Sequence, residues 1–219
     1  MISDEIQRIT AQLPAGVRLV AVSKFHPSEA IREAYAAGQR IFGESHAQEL
    51  QRKHEELSDL ADVQWHFIGH LQTTKVKYIA PYVSLIHAVD SAHLLAEINK
   101  QALKAGRTID CLLQLHVALE ETKFGFTPEE AFAFLDSGEW QALTNVRLAG
   151  VMAMASNTDD EHRIRQDFRT ARQFFERAQT YLSSFTELSM GMSDDWHIAI
   201  DEGSTLIRIG TRIFGERQY

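Results

Sequence analysis

The sequence contains one cysteine and four prolines among its 219 residues. A single cysteine excludes a disulfide within the chain, and with it the small secreted domains that depend on disulfides, which fits a reducing compartment. Cys111 stands in the apolar run 109–115, so we expect a buried and unreactive thiol. The sequence has no repeat of fixed period and no low-complexity tract. With 44% hydrophobic and 24% charged residues, the composition is that of an ordinary globular protein.

Long apolar runs and clusters of basic residues are also missing. No apolar run approaches the length that spans a membrane, and the acidic segment 1–6 does not resemble a signal peptide. The formal net charge is −8 and the basic residues are scattered, which excludes the positive surface that a nucleic acid requires. We therefore expect a cytoplasmic protein with neither a nucleic acid nor a membrane as partner. We also expect a monomer, because no exposed apolar stripe can be read from the sequence.

Short apolar runs alternate with longer helical patterns along the chain. The run 17–23 is followed by a helical pattern that ends at Gly38, which makes one βα unit. Strands are predicted at 17–23, 40–42, 64–68, 85–89, 109–116, 146–152, 187–189 and 205–209. Helices are predicted at 2–13, 27–37, 47–60, 73–79, 128–135 and 161–182, and from the N-cap Ser91 to Ala105. Eight βα steps after an N-terminal helix predict a single (β/α)₈ barrel, one domain over residues 1–219.

In a barrel of this kind the functional side chains follow the carboxyl ends of the strands. Lys24 comes directly after the first predicted strand, so its stem would lie against the core and its amine at the mouth. Partial desolvation there makes an amine easier to deprotonate, and such an amine can attack an aldehyde. The alternative is a solvated lysine at a strand end, and Lys24 alone does not decide between the two.

Two segments rich in small residues follow the last two predicted strands. They run over 188–193 and 208–215 and contain Ser193, Gly210 and Thr211. Barrel enzymes bind phosphate at these loops, where backbone N–H groups and hydroxyls converge on the anion. Ordinary turn chemistry would explain either segment alone. Together with Lys24, the two segments describe a site for pyridoxal 5′-phosphate (PLP), an aldehyde that carries a phosphate.

Several short motifs resemble, in the same order, those of the PLP homeostasis protein family, known as YggS or PROSC. They span nearly the whole chain: Ala21-Val22-Ser23-Lys24, Phe42-Gly43-Glu44, His66-Phe67-Ile68-Gly69-His70-Leu71-Gln72, Leu188-Ser189-Met190-Gly191-Met192-Ser193, Arg208-Ile209-Gly210-Thr211 and Ile213-Phe214-Gly215. The resemblance implies a barrel similar to the N-terminal domain of bacterial alanine racemase, with PLP joined to Lys24 as a Schiff base. It further implies a role in intracellular PLP homeostasis with little or no turnover, and PLP-dependent apoenzymes as candidate partners.

The resemblance also gives roles to two further residues. Arg208 would face the pyridine nitrogen, keep it unprotonated and weaken the ring as an electron sink, the alternative being a strand-end arginine in a salt bridge. Met152 matches a position near the cofactor, although a core methionine would explain it as well. Some positions depart from the common family pattern, so we expect no role for an amide side chain there. They are Ser45, His46, Thr74 and His116.

A working amino-acid racemase is the main alternative function, because it shares the barrel and the lysine. Racemisation needs two bases on opposite faces of the bound amino acid, and the racemase takes its second base from a separate β domain. The sequence ends at Tyr219, about ten residues after the last predicted strand, so we expect no such domain. A third interpretation is a barrel that binds an unrelated phosphorylated metabolite without a covalent bond.

The histidines do not follow a metal-binding pattern. His66 and His70 are four residues apart, a spacing that aligns side chains on a helix but not at the end of a strand. We therefore expect no metal. From the motifs above, we expect PLP as the cofactor and no catalytic residue.

Overall fold

Eight parallel strands close into a barrel, and their order around the barrel is their order in the sequence. The computed structural model describes residues 1–120 and 124–216, so Tyr219 lies outside the described residues. The first strand pairs with both the second and the last, which closes the sheet. The strands are β1 Arg18–Val22, β2 Ile41–Glu44, β3 Gln64–Phe67, β4 Leu85–Val89, β5 Ile109–Leu115, β6 Val146–Ala153, β7 Glu187–Ser189 and β8 Leu206–Ile209.

Helices connect the strands and pack around the barrel. The first helix precedes β1 and contacts the second and the last helices. The helices are α1 Ile2–Thr10, α2 Ser28–Ala36, α3 Ala47–Glu56, α4 Val76–Ile79, α5 Ala92–Lys104, α6 Pro128–Ser137, α7 Glu161–Gln179, α8 Trp196–Asp201 and α9 Thr211–Phe214. Two further segments, Thr73–Lys75 and Glu139–Ala142, form 3₁₀ turns.

The predicted (β/α)₈ barrel with an extra N-terminal helix is confirmed. Strands β4 and β7 begin and end at the predicted residues, and Ser91 caps α5 by accepting a 3.3 Å hydrogen bond from the N–H of Leu94. The prediction carried α1, α3 and α7 beyond their observed ends at Thr10, Glu56 and Gln179. It gave no bounds for α8, which has six residues, too few to display a helical period.

Two apolar layers stabilise the barrel. The outer layer fills the space between the strands and the helices and includes Cys111, a fully buried residue whose thiol pKa is raised by burial. The inner layer is formed by strand side chains that point inside the barrel. Its members are Val20, Ile41, Leu85, Ala88, Leu112, Ala149, Met152 and Leu206. With the interior filled in this way, the polar side chains at the strand ends meet at the mouth.

The longest described helix, α7, has 19 residues and is amphipathic. Its buried residues, among them Ile164, Phe168, Ala171 and Phe175, recur every three or four positions, and α7 contacts β6. None of the described helices combines the length and the apolarity that a membrane crossing requires.

Candidate functional site

A cavity opens at the mouth of the barrel. Its lining comes from the carboxyl ends of six strands and the loops after them, and consists of Val22, Lys24, His26, Ser45, Ile68, Met154, Met192, Ser193, Arg208, Gly210 and Thr211. Five of these residues were predicted from the sequence as site residues: Lys24, Ser193, Arg208, Gly210 and Thr211. The barrel therefore brings together an amine from the first strand and small residues from the last two.

Lys24 reaches the cavity from a tight turn at the end of β1. The N–H of the buried Ser23 donates to the carbonyl of Gly43 at 3.1 Å, and the N–H of His26 donates back to the carbonyl of Ser23 at 3.1 Å. Phe25 lies between them with φ +67°, a left-handed backbone that bulky residues rarely adopt. Lys24 is partly buried, as the sequence predicted.

The segment after β7 turns sharply at Gly191. Its φ is +94°, and a Cβ atom added there would lie 2.5 Å from the Cβ of Ala199, so only glycine fits. The N–H of Met192 donates to Oδ1 of Asp195 at 2.6 Å, which fixes the following turn. This geometry places Ser193 at the cavity.

The segment after β8 approaches β1 closely at Gly210. A Cβ atom at this position would lie 3.0 Å from the carbonyl oxygen of Val22, so glycine allows the backbone to lie against the cavity wall. Thr211 begins α9 directly afterwards. Gly210 and Thr211 therefore line the same cavity as Lys24.

Arg208 lies deep in the cavity and is buried. Its guanidinium donates to Oγ of Ser189 at 2.5 Å and to the carbonyl of Ala153 at 3.0 Å. Burial lowers the pKa of Arg208 to about 10, a change that the carboxylate of Asp195 opposes. The guanidinium thus stays charged at neutral pH and is held in a fixed orientation.

A pair of buried histidines continues this contact into the barrel. Nδ1 of His87 lies 2.9 Å from Oγ of Ser189, and Nε2 of His87 lies 3.0 Å from Nδ1 of His66. Burial lowers the pKa of His66 to about 3 and that of His87 well below its usual value, so both rings are neutral. These hydrogen-bonded side chains were not predicted from the sequence, although a histidine inside the apolar run 85–89 was a visible signal.

Met152 is not among the residues that line the cavity, and its place near the cofactor stays a prediction. Its side chain lies in the inner apolar layer, whereas Met154, two positions later, lines the cavity. Both point to the same side of the strand because side chains in a strand alternate with period two. Met154 is therefore the methionine at the cavity, two residues closer to the mouth than Met152.

The positions that depart from the family pattern are scattered over the mouth. Ser45 lines the cavity, and the ring of His46 lies 5.2 Å from that of Phe25. Thr74 is exposed in a 3₁₀ turn, and Nε2 of His116 lies 2.9 Å from the carbonyl of Glu120. Only Ser45 among these four is a cavity residue.

His66 and His70 do not share a partner. His66 contacts His87 inside the barrel, whereas Nδ1 of His70 lies 3.0 Å from Oδ2 of Asp90 near the surface. Within residues 1–120 and 124–216, no three His, Cys, Asp or Glu side chains are arranged to hold a metal ion.

Comparison with known proteins places the chain in a family. The family model described as alanine racemase, N-terminal domain, matches residues 1–218. A pyridoxal phosphate homeostasis protein of Aquifex aeolicus is 42% identical over 206 residues, which are 92% of this chain and 88% of that protein. This chain belongs to the pyridoxal phosphate homeostasis protein family. The member from Pseudomonas aeruginosa is 39% identical and covers 94% of this chain. The resemblance found in the sequence is therefore confirmed.

Solved structures agree with this assignment to the pyridoxal phosphate homeostasis protein family. The structure of PipY from Synechococcus elongatus with PLP bound has a TM-score of 0.90 at 39% identity and covers 98% of this chain and 100% of that chain. The form without PLP has a TM-score of 0.93. An alanine racemase of Clostridium difficile has a TM-score of 0.77 at 12% identity, and this chain spans 57% of its length. The likeness to the racemase concerns the fold alone.

Proposed function

We propose that this chain binds PLP at the mouth of the barrel as a Schiff base on Lys24, and that it serves PLP homeostasis with little or no turnover. The observation that carries the proposal is the meeting of Lys24, Ser193, Arg208 and Thr211 in one cavity. The name of the family and the PLP in the structure of PipY support it.

The residues of the cavity fit the chemical groups of PLP. PLP brings an aldehyde that condenses with an amine, a phosphate and a pyridine ring. Lys24 offers the amine, and the hydroxyls of Ser193 and Thr211 with the backbone at Gly210 offer donors to the phosphate. The cavity measures about 170 Å³. Because a cavity of roughly 150 Å³ accommodates a benzene ring, this one has room for one aromatic ring.

Arg208 would set the electronic state of the ring. A guanidinium opposite the pyridine nitrogen donates a hydrogen bond but no proton, so the nitrogen stays unprotonated and the ring withdraws electrons less strongly. The contacts of Arg208 with Ser189 and Ala153 hold the guanidinium in place for this role. A ring that withdraws electrons less strongly slows the reactions of bound amino acids, so the site is better suited to binding PLP than to catalysis.

An amino-acid racemase is the alternative function. It would need an opposing base at the cavity, and among the described lining residues His26 is the candidate. The ring of His26 stacks on Phe214 with 5.3 Å between centroids, which ties it to α9. We therefore propose low turnover, and turnover of about 1 per second or faster with alanine would favour the racemase.

The deciding experiment is borohydride reduction of the PLP-loaded protein, followed by its mass and a peptide map. After reduction, we expect one phosphopyridoxyl group on Lys24. Before reduction, we expect a visible absorbance that Lys24→Ala abolishes without a change in the far-ultraviolet circular dichroism. A protein that stays colourless with excess PLP contradicts the proposal and favours a phosphorylated metabolite held without a covalent bond. Modification of another lysine would show that Lys24 does not form the Schiff base.

The organisation of the chain is a further part of the proposal. We propose that residues 1–219 act as one domain and as a monomer, with PLP-dependent apoenzymes as recipients of the cofactor. Light scattering after size exclusion tests the monomer, and a mass of twice 24.8 kDa contradicts it. One cooperative unfolding transition is expected for a single domain.

A further inference from the structure

A lysine is fully buried on α3, behind the turn that carries Lys24. Nζ of Lys53 lies 2.7 Å from the carbonyl oxygen of Ser23, 2.7 Å from Oε1 of Glu44 and 2.8 Å from Oε1 of Glu49. The side chains of Lys53 and Glu44 are 0% exposed. Charged side chains are almost never buried unless they are paired, and their burial does not by itself stabilise a protein. We call Lys53, Glu44 and Glu49 the Lys53 cluster.

The Lys53 cluster holds the chain on both sides of Lys24. Before Lys24, Ser23 donates from Oγ to Oε1 of Glu44 at 2.6 Å, and its carbonyl accepts from Lys53. After Lys24, the N–H of Phe25 donates to Oε1 of Glu49 at 2.7 Å. The same oxygen of Glu49 is the one that pairs with Lys53. The two neighbours of Lys24 are thereby tied to a single buried ammonium group.

The backbone of Phe25 needs such a restraint. Its φ of +67° is disfavoured for a residue with a Cβ atom, and such residues persist where the surroundings fix them. The hydrogen bond from Phe25 to Glu49 is charge-assisted, which makes it stronger than a bond between neutral groups. If it were lost, the turn would relax toward ordinary backbone angles, and Lys24 would change its direction.

We infer that Glu49 and Lys53 are positioning residues that aim the amine of Lys24 at the PLP aldehyde, an inference that rests on the proposed function. A covalent bond forms readily when the reacting groups are held in the right orientation. If Lys24 is aimed correctly in only a fraction of molecules, the apparent affinity for PLP falls by that fraction. A cluster with a purely structural role would instead affect all ligands of the cavity alike.

The first test needs no ligand. Hydrogen exchange of the Phe25 amide is followed by NMR in the wild type, Glu49→Ala, Glu49→Gln and Glu202→Ala. We expect exchange at least tenfold faster in Glu49→Ala and close to wild type in Glu49→Gln, whose amide oxygen can still accept. Glu202 is the matched control, since its carboxylate is 7% exposed and paired with Arg165 and Arg169 away from the cavity. Unchanged exchange in Glu49→Ala overturns the inference.

The second test compares PLP with pyridoxine 5′-phosphate, which has an alcohol in place of the aldehyde and cannot form a Schiff base. We expect Glu49→Ala to weaken PLP binding about tenfold or more, and to change the binding of pyridoxine 5′-phosphate less than twofold. Glu49→Gln should restore most of the PLP affinity, and Glu202→Ala should change neither ligand. Equal losses for the two ligands, or no loss for either, overturn the positioning role.

A variant that keeps the charge covers the case in which Glu49→Ala does not fold. Glu49→Asp retains a carboxylate for Lys53 but shortens its reach toward Phe25, so PLP binding should weaken at least threefold while pyridoxine 5′-phosphate binding stays unchanged. The same comparison of ligands decides the outcome. If wild-type protein forms no Schiff base on Lys24, the proposed function fails. If the wild type does so and the variants match it, only the positioning role fails.

Discussion

The guanidinium of Arg208 donates a 2.5 Å hydrogen bond to Oγ of Ser189, below the floor of the cavity. The same oxygen lies 2.9 Å from Nδ1 of His87, and His87 contacts His66. All four side chains are buried. Because burial keeps both imidazoles neutral, Arg208 is the charged member of these four hydrogen-bonded side chains. Ser189 therefore accepts from Arg208 and can donate its own hydrogen to His87.

Removal of the Ser189 hydroxyl should destabilise the fold. Ser189→Ala leaves a buried N–H of Arg208 and a nitrogen of His87 without their partner, and we expect a loss of about 1 to 3 kcal/mol in the free energy of unfolding. Urea titration measures it. Ser137→Ala is the control, because Ser137 is exposed and its hydroxyl, which donates to the Phe134 carbonyl and accepts from the Glu139 N–H, lies at the surface, so its loss should stay within about 0.5 kcal/mol. Equal losses would contradict a structural role for the Ser189 bond.

The buried histidines predict a fall in stability at acid pH. The pKa of His66 is about 3 in the folded protein against 6.5 for an ordinary histidine, so below pH 6.5 the unfolded chain binds a proton that the folded protein does not. The unfolded state is then favoured, and stability falls as the pH drops from 6.5 toward 3. Between pH 6.5 and pH 5 the fall is about 2 kcal/mol for one such histidine.

Variants separate this effect from that of the carboxylates. In His66→Gln the fall in the free energy of unfolding between pH 7 and pH 5 should be smaller than in the wild type by about 1 to 2 kcal/mol. His162→Gln, at an exposed position of α7, should keep the pH dependence of the wild type. The measurement is a set of urea titrations at several pH values. An unchanged dependence in His66→Gln would show that this ring is not the source.

The barrel and most of its mouth could be predicted because each rests on a local pattern. Apolar runs of the right length mark the strands, and the rule that strand ends meet at one face then places Lys24 near Gly210 and Thr211. Glycines such as Gly191 are visible in the sequence, and the backbone does require them. These inferences needed no knowledge of side-chain contacts.

The buried polar groups could not be predicted, since their partners come in part from distant segments of the sequence. In α3, Arg52 and Lys53 are adjacent basic residues of a charged helix, yet Arg52 is exposed and Lys53 is buried. The helical period places Lys53 on the same face as the buried Ala47 and Leu50, but it does not show that the ammonium group is paired there with Glu44 and with the carbonyl of Ser23. Met152 and Met154 pose a similar problem, because both side chains point to the same side of the chain. How far the inner apolar layer extends toward the mouth decides that Met154, and not Met152, lines the cavity.

Gly191 should not tolerate a side chain. In Gly191→Ala the left-handed backbone is strained and the new Cβ would lie 2.5 Å from Cβ of Ala199, so we expect a loss of about 2 to 4 kcal/mol. Gly16→Ala is the matched control, because Gly16 has a similar φ of +90° with nothing within 4 Å of the added atom. Its loss should be about 1 to 2 kcal/mol from strain alone. Equal losses in thermal or urea unfolding would mean that the contact with Ala199 adds nothing.

The hydroxyls of Ser193 and Thr211 should act on the phosphate and not on the aldehyde. A hydrogen bond to an anion contributes about 1.5 to 3 kcal/mol, so Thr211→Val or Ser193→Ala should weaken PLP binding by about one to two orders of magnitude. The Schiff base on Lys24 should still form at high PLP concentration. Absorbance titration measures both quantities.

Pyridoxal, which lacks the phosphate, is the control ligand for these variants. Its binding should change much less than that of PLP, because the deleted hydroxyl then has no anion to lose. Thr170→Val serves as the control variant, since Thr170 is half-buried on α7, does not line the cavity and donates its hydroxyl hydrogen to the Gln166 carbonyl. It should leave both ligands unaffected. If Thr211→Val or Ser193→Ala weakens PLP and pyridoxal equally, the hydroxyls support the fold or the ring, and the phosphate binds elsewhere.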